Sequence, residues 1–245
     1  MNNNQFIDSI KNMYEVYLDN HRRSSAKLLP LHGNIASDLQ QRLGNQYRVF
    51  SLGFNEGKEK NMSGRYMDKK VDISIFKKNG NGLEEVGGIA VKAIMTNYAQ
   101  NSNNYFENML GETANLRSAT KLYFQILILP ESVPYFGDKK SNNKKDVIIK
   151  HEHLNIAKLN KYLKLSNDNI TELLHTPNKT LLYLIKTTDT TIDTTNNPSR
   201  ADWINFMKQN LNICLSSQHL IFGNSVIYNN YEQFIEKVVH SVLSV

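Results

Sequence analysis

The chain has 245 residues, with 29 Lys and Arg against 23 Asp and Glu, a formal charge of +6 and 40% hydrophobic residues. That is too apolar for a disordered chain, and at about 150 residues per domain it suits one elaborated domain or two small ones. No stretch reaches the roughly 18 consecutive apolar residues of a membrane helix, and Cys214 alone makes neither an internal disulfide nor a thiolate zinc cluster.

The opening MNNNQFIDSIKNMY lacks the basic start and apolar run of a signal peptide, so the expected location is cytoplasmic, without a membrane partner. Phe6, Ile10, Met13, Val16 and Tyr17 recur at helical spacing and predict a helix over 5–20. A second, over 34–43, carries Ile35, Leu39 and Leu43 on one side and closes at Gly44. NQYRVFSLGF reads as a strand, NEGKEKNMSGRYMDKK as an exposed loop, and VDISIF as a strand whose Val71, Ile73 and Ile75 face one way and Asp72, Ser74 and Phe76 the other. The turn signal NGNG leads to a further strand, EEVGGIAVKAIM.

The polar stretch TNYAQNSNN precedes a helix, NYFENMLGETANLRS, and the apolar run LYFQILILP is a strand ending at Pro130. Beyond it come a basic loop (FGDKKSNNKKD), a short strand or turn (VIIKHEHL), a short helix (NITELLH) and a strand (LLYLIK). The Thr-rich segment 187–200 reads as a mobile loop, Trp203 as a core anchor, and WINFMKQNL and YEQFIEKVVHSVL as closing helices. The stripe of Ile235, Val238, Val239 and Val242 suits either the core or a dimer face. The expected fold is α/β, a mixed central sheet flanked by helices, in one domain over 1–245 with helical parts at 1–45 and 200–245.

Residues 71–117 hold the chemistry. An aspartate (Asp72) and a lysine (Lys92) on adjacent core strands are costly unless a charge, metal or substrate compensates them. On the following helix, Asn104, Glu107, Asn108, Gly111 and Asn115 fall on one polar arc at 100° per residue, with Gly111 free to admit a close backbone. Glu112 lies outside that arc. No Walker loop, GxGxxG, GxSxG or HExxH occurs, and His151, Glu152 and His153 lack a further metal ligand.

VDISIF, a turn, GGIAVK and a helix bearing NNYFENMLGETANL together resemble the core of type II restriction endonucleases of the PD-(D/E)xK superfamily. The resemblance covers about residues 65–130. It implies a restriction-endonuclease-like core in which Asp72 and a second carboxylate hold Mg²⁺ and Lys92 helps activate or position the attacking water. It further implies a sequence-specific double-stranded DNA endonuclease acting as a homodimer.

The chain departs from that pattern in two places. Ala90 stands two residues before Lys92, where the family has an acidic residue, and no proline precedes Asp72. Three explanations compete: the carboxylate has moved to Glu107, Ala90 is an engineered inactivation, or Glu84 or Glu85 serves. The last is disfavoured, because Glu84 stands roughly 26 Å from Lys92 along a regular strand. The expected catalytic set is thus Asp72, Lys92 and Glu107, with Asp72 and Glu107, or else Glu112 or a restored acid at 90, on the metal. Asn97, Gln100, Asn103 and Asn104, with Lys139, Lys140, Lys144, Lys145 and Arg200, are the candidate DNA contacts. A silent DNA-binding protein with a nuclease-like fold, and a less specific nuclease for structured DNA, are the alternatives.

Overall fold

The computed structural model of the protein describes residues 1–20, 25–80, 82–139 and 144–245. Among them, six α-helices surround a seven-stranded mixed sheet. The strands are β1 (Tyr47–Ser51), β2 (Lys60–Met62), β3 (Lys69–Val71), β4 (Ile73–Asn79), β5 (Gly82–Ala93), β6 (Leu122–Pro130), β7 (Ser132–Lys139), β8 (Lys144–His153), β9 (Lys179–Lys186), β10 (Cys214–Leu215) and β11 (Val226–Tyr228). The helices are α1 (Asn3–Asp19), α2 (Leu28–Leu43), α3 (Tyr98–Arg117), α4 (Ile156–Ser166), α5 (Arg200–Asn210) and α6 (Tyr231–Leu243). The sheet order is β1-β4-β5-β6-β9-β10, with β11 beside β9. β1, β4 and β5 run antiparallel, whereas β5, β6, β9 and β11 are parallel.

The continuous apolar runs of β6 and β9 follow from this position, because a central parallel strand is buried on both faces. Ile126, Ile128, Leu181 and Tyr183 join the core shared with α1, α2, α5 and α6, while Leu127, Leu129, Leu182 and Leu184 pack with Tyr98, Leu159 and Tyr162 of α3 and α4. In α6, Ile235, Val238 and Val242 are fully buried within this chain. That stripe is therefore core, and Trp203 is the expected anchor, its ring edge-on to Phe136 and Tyr17. No helix among the described residues is long and apolar enough to cross a membrane.

Several elements differ from expectation. The strand VDISIF is broken at Asp72: Val71 pairs in a small β2–β3 hairpin and packs with Leu116 and Tyr123, while Ile73 and Ile75 enter the main core. The loop before it thus contains two three-residue strands, too short to show a period. α3 begins at Tyr98, taking in most of the polar run 96–104, because Tyr98 and Ser102 supply the buried contacts that its asparagines do not. The basic loop 136–146 is largely the hairpin of β7 and β8, with 140–143 outside the described residues.

NITELLH forms turns instead of a helix. Arg117 explains this, since its guanidinium donates to the carbonyls of Ile170, Leu173 and Thr176 and stabilises a non-helical path. α4 was not expected; Asn155 caps it and Leu159, Tyr162 and Leu165 bury one face. The segment 187–199 has no α-helix or ladder strand, as expected of a loop.

Asn115 shows how α3 fixes the chain ahead of the site. Its side-chain oxygen accepts from the Tyr66 amide at 2.9 Å and more weakly from that of Met67, its amide donates to the Met67 carbonyl at 2.8 Å, and its own carbonyl takes the Arg65 amide. Tyr66, 79% exposed, is thereby presented on a pinned loop. Asn115→Ala is expected to cost about 1–3 kcal/mol by leaving these groups unpaired. Urea unfolding and faster amide exchange at Tyr66 and Met67 are the readouts, and unchanged exchange there contradicts this role.

Candidate active site

Asp72 occupies the bend between β3 and β4, and two bonds hold it there. Its carbonyl accepts the Ser51 hydroxyl at 2.7 Å, and its carboxylate Oδ2 accepts the Val91 amide at 2.7 Å. Val91 lies just past the point where β4 stops pairing with β5, so Asp72 completes the ladder with a side chain. Burial pushes the carboxyl above its ordinary pKa and the charge of Glu112 adds to this, while the Val91 N–H, Lys92 and Lys69 oppose it.

Lys92, next along β5, is exposed, and its ammonium lies 4.4 Å from the centre of the Tyr105 ring on α3. Asp72 and Lys92 open into one cleft of about 730 Å³ between β5, β6 and α3. Asn101, Tyr105, Asn108 and Glu112 line it from α3, Lys69 and Lys70 from β3, and Gln125 from β6. Glu112 is held by Lys69 Nζ at 2.5 Å and by the Tyr123 hydroxyl at 3.2 Å. Gln125 is the sheet partner of Ala90, which packs beside Met62, Val71, Leu116 and Tyr123.

Glu107 is exposed, does not line the cleft, and acts by charge on Lys161. The polar arc of α3 is therefore split: Asn104, Glu107 and Gly111 face outward, Asn115 is buried against the loop at 65–67, and Asn108 joins Asn101, Tyr105 and Glu112 on the cleft-facing stripe, about 100–160° around the helix from Glu107. Gly111, on the outer side, has no neighbour within 4 Å of a would-be Cβ among the described residues. Glu85 accepts the Ser63 amide and pairs with Lys121, which commits it to the far end of β5.

Two residues that sequence reasoning did not single out stand behind Asp72. His32, Glu59 and Asp72 each place one ligand atom within 4.8 Å of the others. Glycine builds this approach: a Cβ on Gly33 would lie 2.7 Å from the Gly53 carbonyl oxygen, so only glycine lets the loop after β1 rest on α2 and bring Glu59 to His32. His32 is fully buried, and neither ring nitrogen has a hydrogen-bond partner among the described residues. Such unsatisfied groups cost about 1–3 kcal/mol each. Burial lowers the His32 pKa to about 4, against a weaker upward pull from Glu59, so the ring is neutral at neutral pH. The only sequence signal was a histidine on the apolar side of α2.

The candidate nucleic-acid contacts divide. Gln100 lines the cleft with Asn97, but the Asn97 amide is committed to both backbone groups of Phe136. Asn103 accepts from Lys161, and Asn104 is exposed away from the cleft. Arg200 lines the cleft, makes a two-pronged pair with Asp146 at 2.7 and 2.8 Å and lies over the Phe136 ring. Lys139 donates to Asn197 and Lys145 is exposed. Lys140 lies outside the described residues, and Lys144 contributes the first position of β8. Glu152 caps the amide of Ala99 at the start of α3, a structural use.

No family model, curated protein or solved structure matches this chain.

Proposed function

We propose that the protein is a divalent-metal-dependent nuclease, and in its specific form a Mg²⁺-dependent, restriction-type endonuclease that cuts double-stranded DNA as a homodimer. The observation that carries this reading is the convergence of Asp72, Lys92 and a set of amides and lysines on one cleft. Phosphodiester hydrolysis builds negative charge at the scissile phosphate, and a lysine beside it offers both charge and a hydrogen-bond donor. Lys92 fills that role because the Tyr105 ring holds its ammonium above the cleft wall. Asp72 would help hold the cation, which when bound would supply Lewis-acid stabilisation and a more acidic water. Asn101 and Asn108 offer amides that suit phosphates and base edges. Glu107 does not fit this cation, being on the outer face of α3.

Incubating the protein with supercoiled plasmid and Mg²⁺ or Mn²⁺ is expected to give discrete fragments. No cleavage of any DNA with either ion, with Ala90 in place or changed to Glu, overturns the reading. The apolar surroundings of Ala90 favour a second one, a DNA-binding protein without chemistry. Metal-independent retention of DNA on a gel, with no product, distinguishes it.

A further inference from the structure

We infer that His32, Glu59 and Asp72 form a binding site for one first-row divalent cation, Mn²⁺ being the working example, and that it prefers such an ion to Mg²⁺ or Ca²⁺. The inference deepens the nuclease reading, on which it rests for its use in cleavage, though the binding itself is tested apart from any cleavage. Three ligand atoms within 4.8 Å of one another span about one coordination sphere, since donors on opposite sides of an ion at about 2.0–2.2 Å lie roughly 4.2 Å apart. A small inward shift of the side chains closes the site.

His32 gives the independent indication of a ligand. Its ring is fully buried beside the two carboxylates with both nitrogens unpartnered among the described residues, and a bond from one nitrogen to a metal removes part of that deficit. Charge points the same way, because two carboxylates brought together in a half-buried place repel unless a cation lies between them. Lysines compensate in part: the Lys70 ammonium is 3.3 Å from Glu59 Oε2 on a side chain that is 63% exposed, and the charges of Lys92 and Lys69 act on Asp72, but none of the three supplies a ligand atom to the cluster. One Asp72 oxygen is already fixed by the Val91 amide, which orients the carboxylate.

The donor set gives the selectivity. Mg²⁺ and Ca²⁺ favour all-oxygen surroundings, and an imidazole nitrogen shifts preference toward first-row ions, least toward Mn²⁺, which shares much of their preference for oxygen, and more toward the later ones. Asp72 also borders the cleft, whereas His32 and Glu59 do not, so the open side of a bound ion would face the cleft.

Calorimetric titration of the full chain is expected to show one Mn²⁺ per chain, with Mg²⁺ and Ca²⁺ at least about 10-fold weaker. Glu59→Gln and Asp72→Asn should each weaken Mn²⁺ by about 10–100-fold or more. Bound Mn²⁺ should show nitrogen coupling by pulsed electron paramagnetic resonance, lost in His32→Asn. Because His32→Asn alters a buried position, Glu59→Gln, at the more accessible edge, keeps the test decisive if that variant fails to fold. No Mn²⁺ binding, binding unchanged in Glu59→Gln, absent nitrogen coupling, or Mg²⁺ binding as tight as Mn²⁺ would each overturn the site. The two readings fail separately: nitrogen-coupled Mn²⁺ without cleavage removes the nuclease and keeps the site, whereas cleavage undiminished in Glu59→Gln, with no nitrogen coupling, does the reverse.

Discussion

Lys92→Ala is expected to slow phosphodiester cleavage by about 10²–10³-fold, the loss of one preorganised donor at developing charge, worth about 2.7–4 kcal/mol. The side chain is exposed, and it meets the Tyr105 ring and acts by charge on Asp72 from the open cleft, so the fold should be indifferent to the change within about 0.5 kcal/mol. Metal binding should also persist, because the proposed ligands are the side chains of His32, Glu59 and Asp72. Single-turnover cleavage at saturating DNA isolates the chemical step from binding. Lys92→Arg keeps the charge but not the compact donor, and should recover only part of the rate. A Lys92→Ala protein that cuts at the wild-type rate would remove Lys92 from the chemistry. A protein that neither cuts nor binds DNA would instead make Lys92 a binding residue.

The core was more legible in the sequence than the site. Alternation and apolar runs marked β4, β5, β6 and β9 because burial there depends on a period that the residues carry themselves. α4 carried a legible period, Leu159, Tyr162 and Leu165 three apart with lysines between them, whereas β2, β3, β10 and β11 had none, because two or three residues have no period. At the site, Asp72 and Lys92 were visible as charged residues within core strands, and both border the cleft. Glu107 was chosen for lying on the polar arc of α3, but that arc is split: Asn108 borders the cleft and Asn115 is buried, whereas Glu107 sits on the part that faces water. Glu59 carried no signal in the sequence, and His32 only its place on the apolar side of α2. Their approach to Asp72 depends on tertiary contacts such as that of Gly33 with Gly53, residues twenty apart, and no local pattern announces it.

The largest loss of stability should come from Phe6→Ala, about 3–5 kcal/mol. Phe6 is fully buried, stacked on the Tyr231 ring at 4.2 Å and edge-on to Tyr183 at 4.8 Å, so one side chain joins α1, β9 and α6. Tyr231 in turn donates to Asp38 of α2 at 2.9 Å, and Asp38 pairs with Arg42 and with the N-terminal amine. Truncation leaves a cavity in the middle of this junction and removes an aromatic pairing worth about 0.5–1.5 kcal/mol beyond its area. Against a total of about 5–15 kcal/mol that is a large fraction, and it should lower Tm by roughly 6–20 °C. Phe6→Leu keeps an apolar side chain in the space, so it should cost less than Phe6→Ala, while Leu243→Ala, at an exposed position of α6, should stay within about 0.5 kcal/mol. A Phe6→Ala midpoint in urea indistinguishable from that of Leu243→Ala would mean that α1 is not joined to the sheet through this ring. Phe6 does not border the cleft, so folded Phe6→Ala protein should retain the nuclease rate of the parent, and the loss should appear only as a smaller folded fraction.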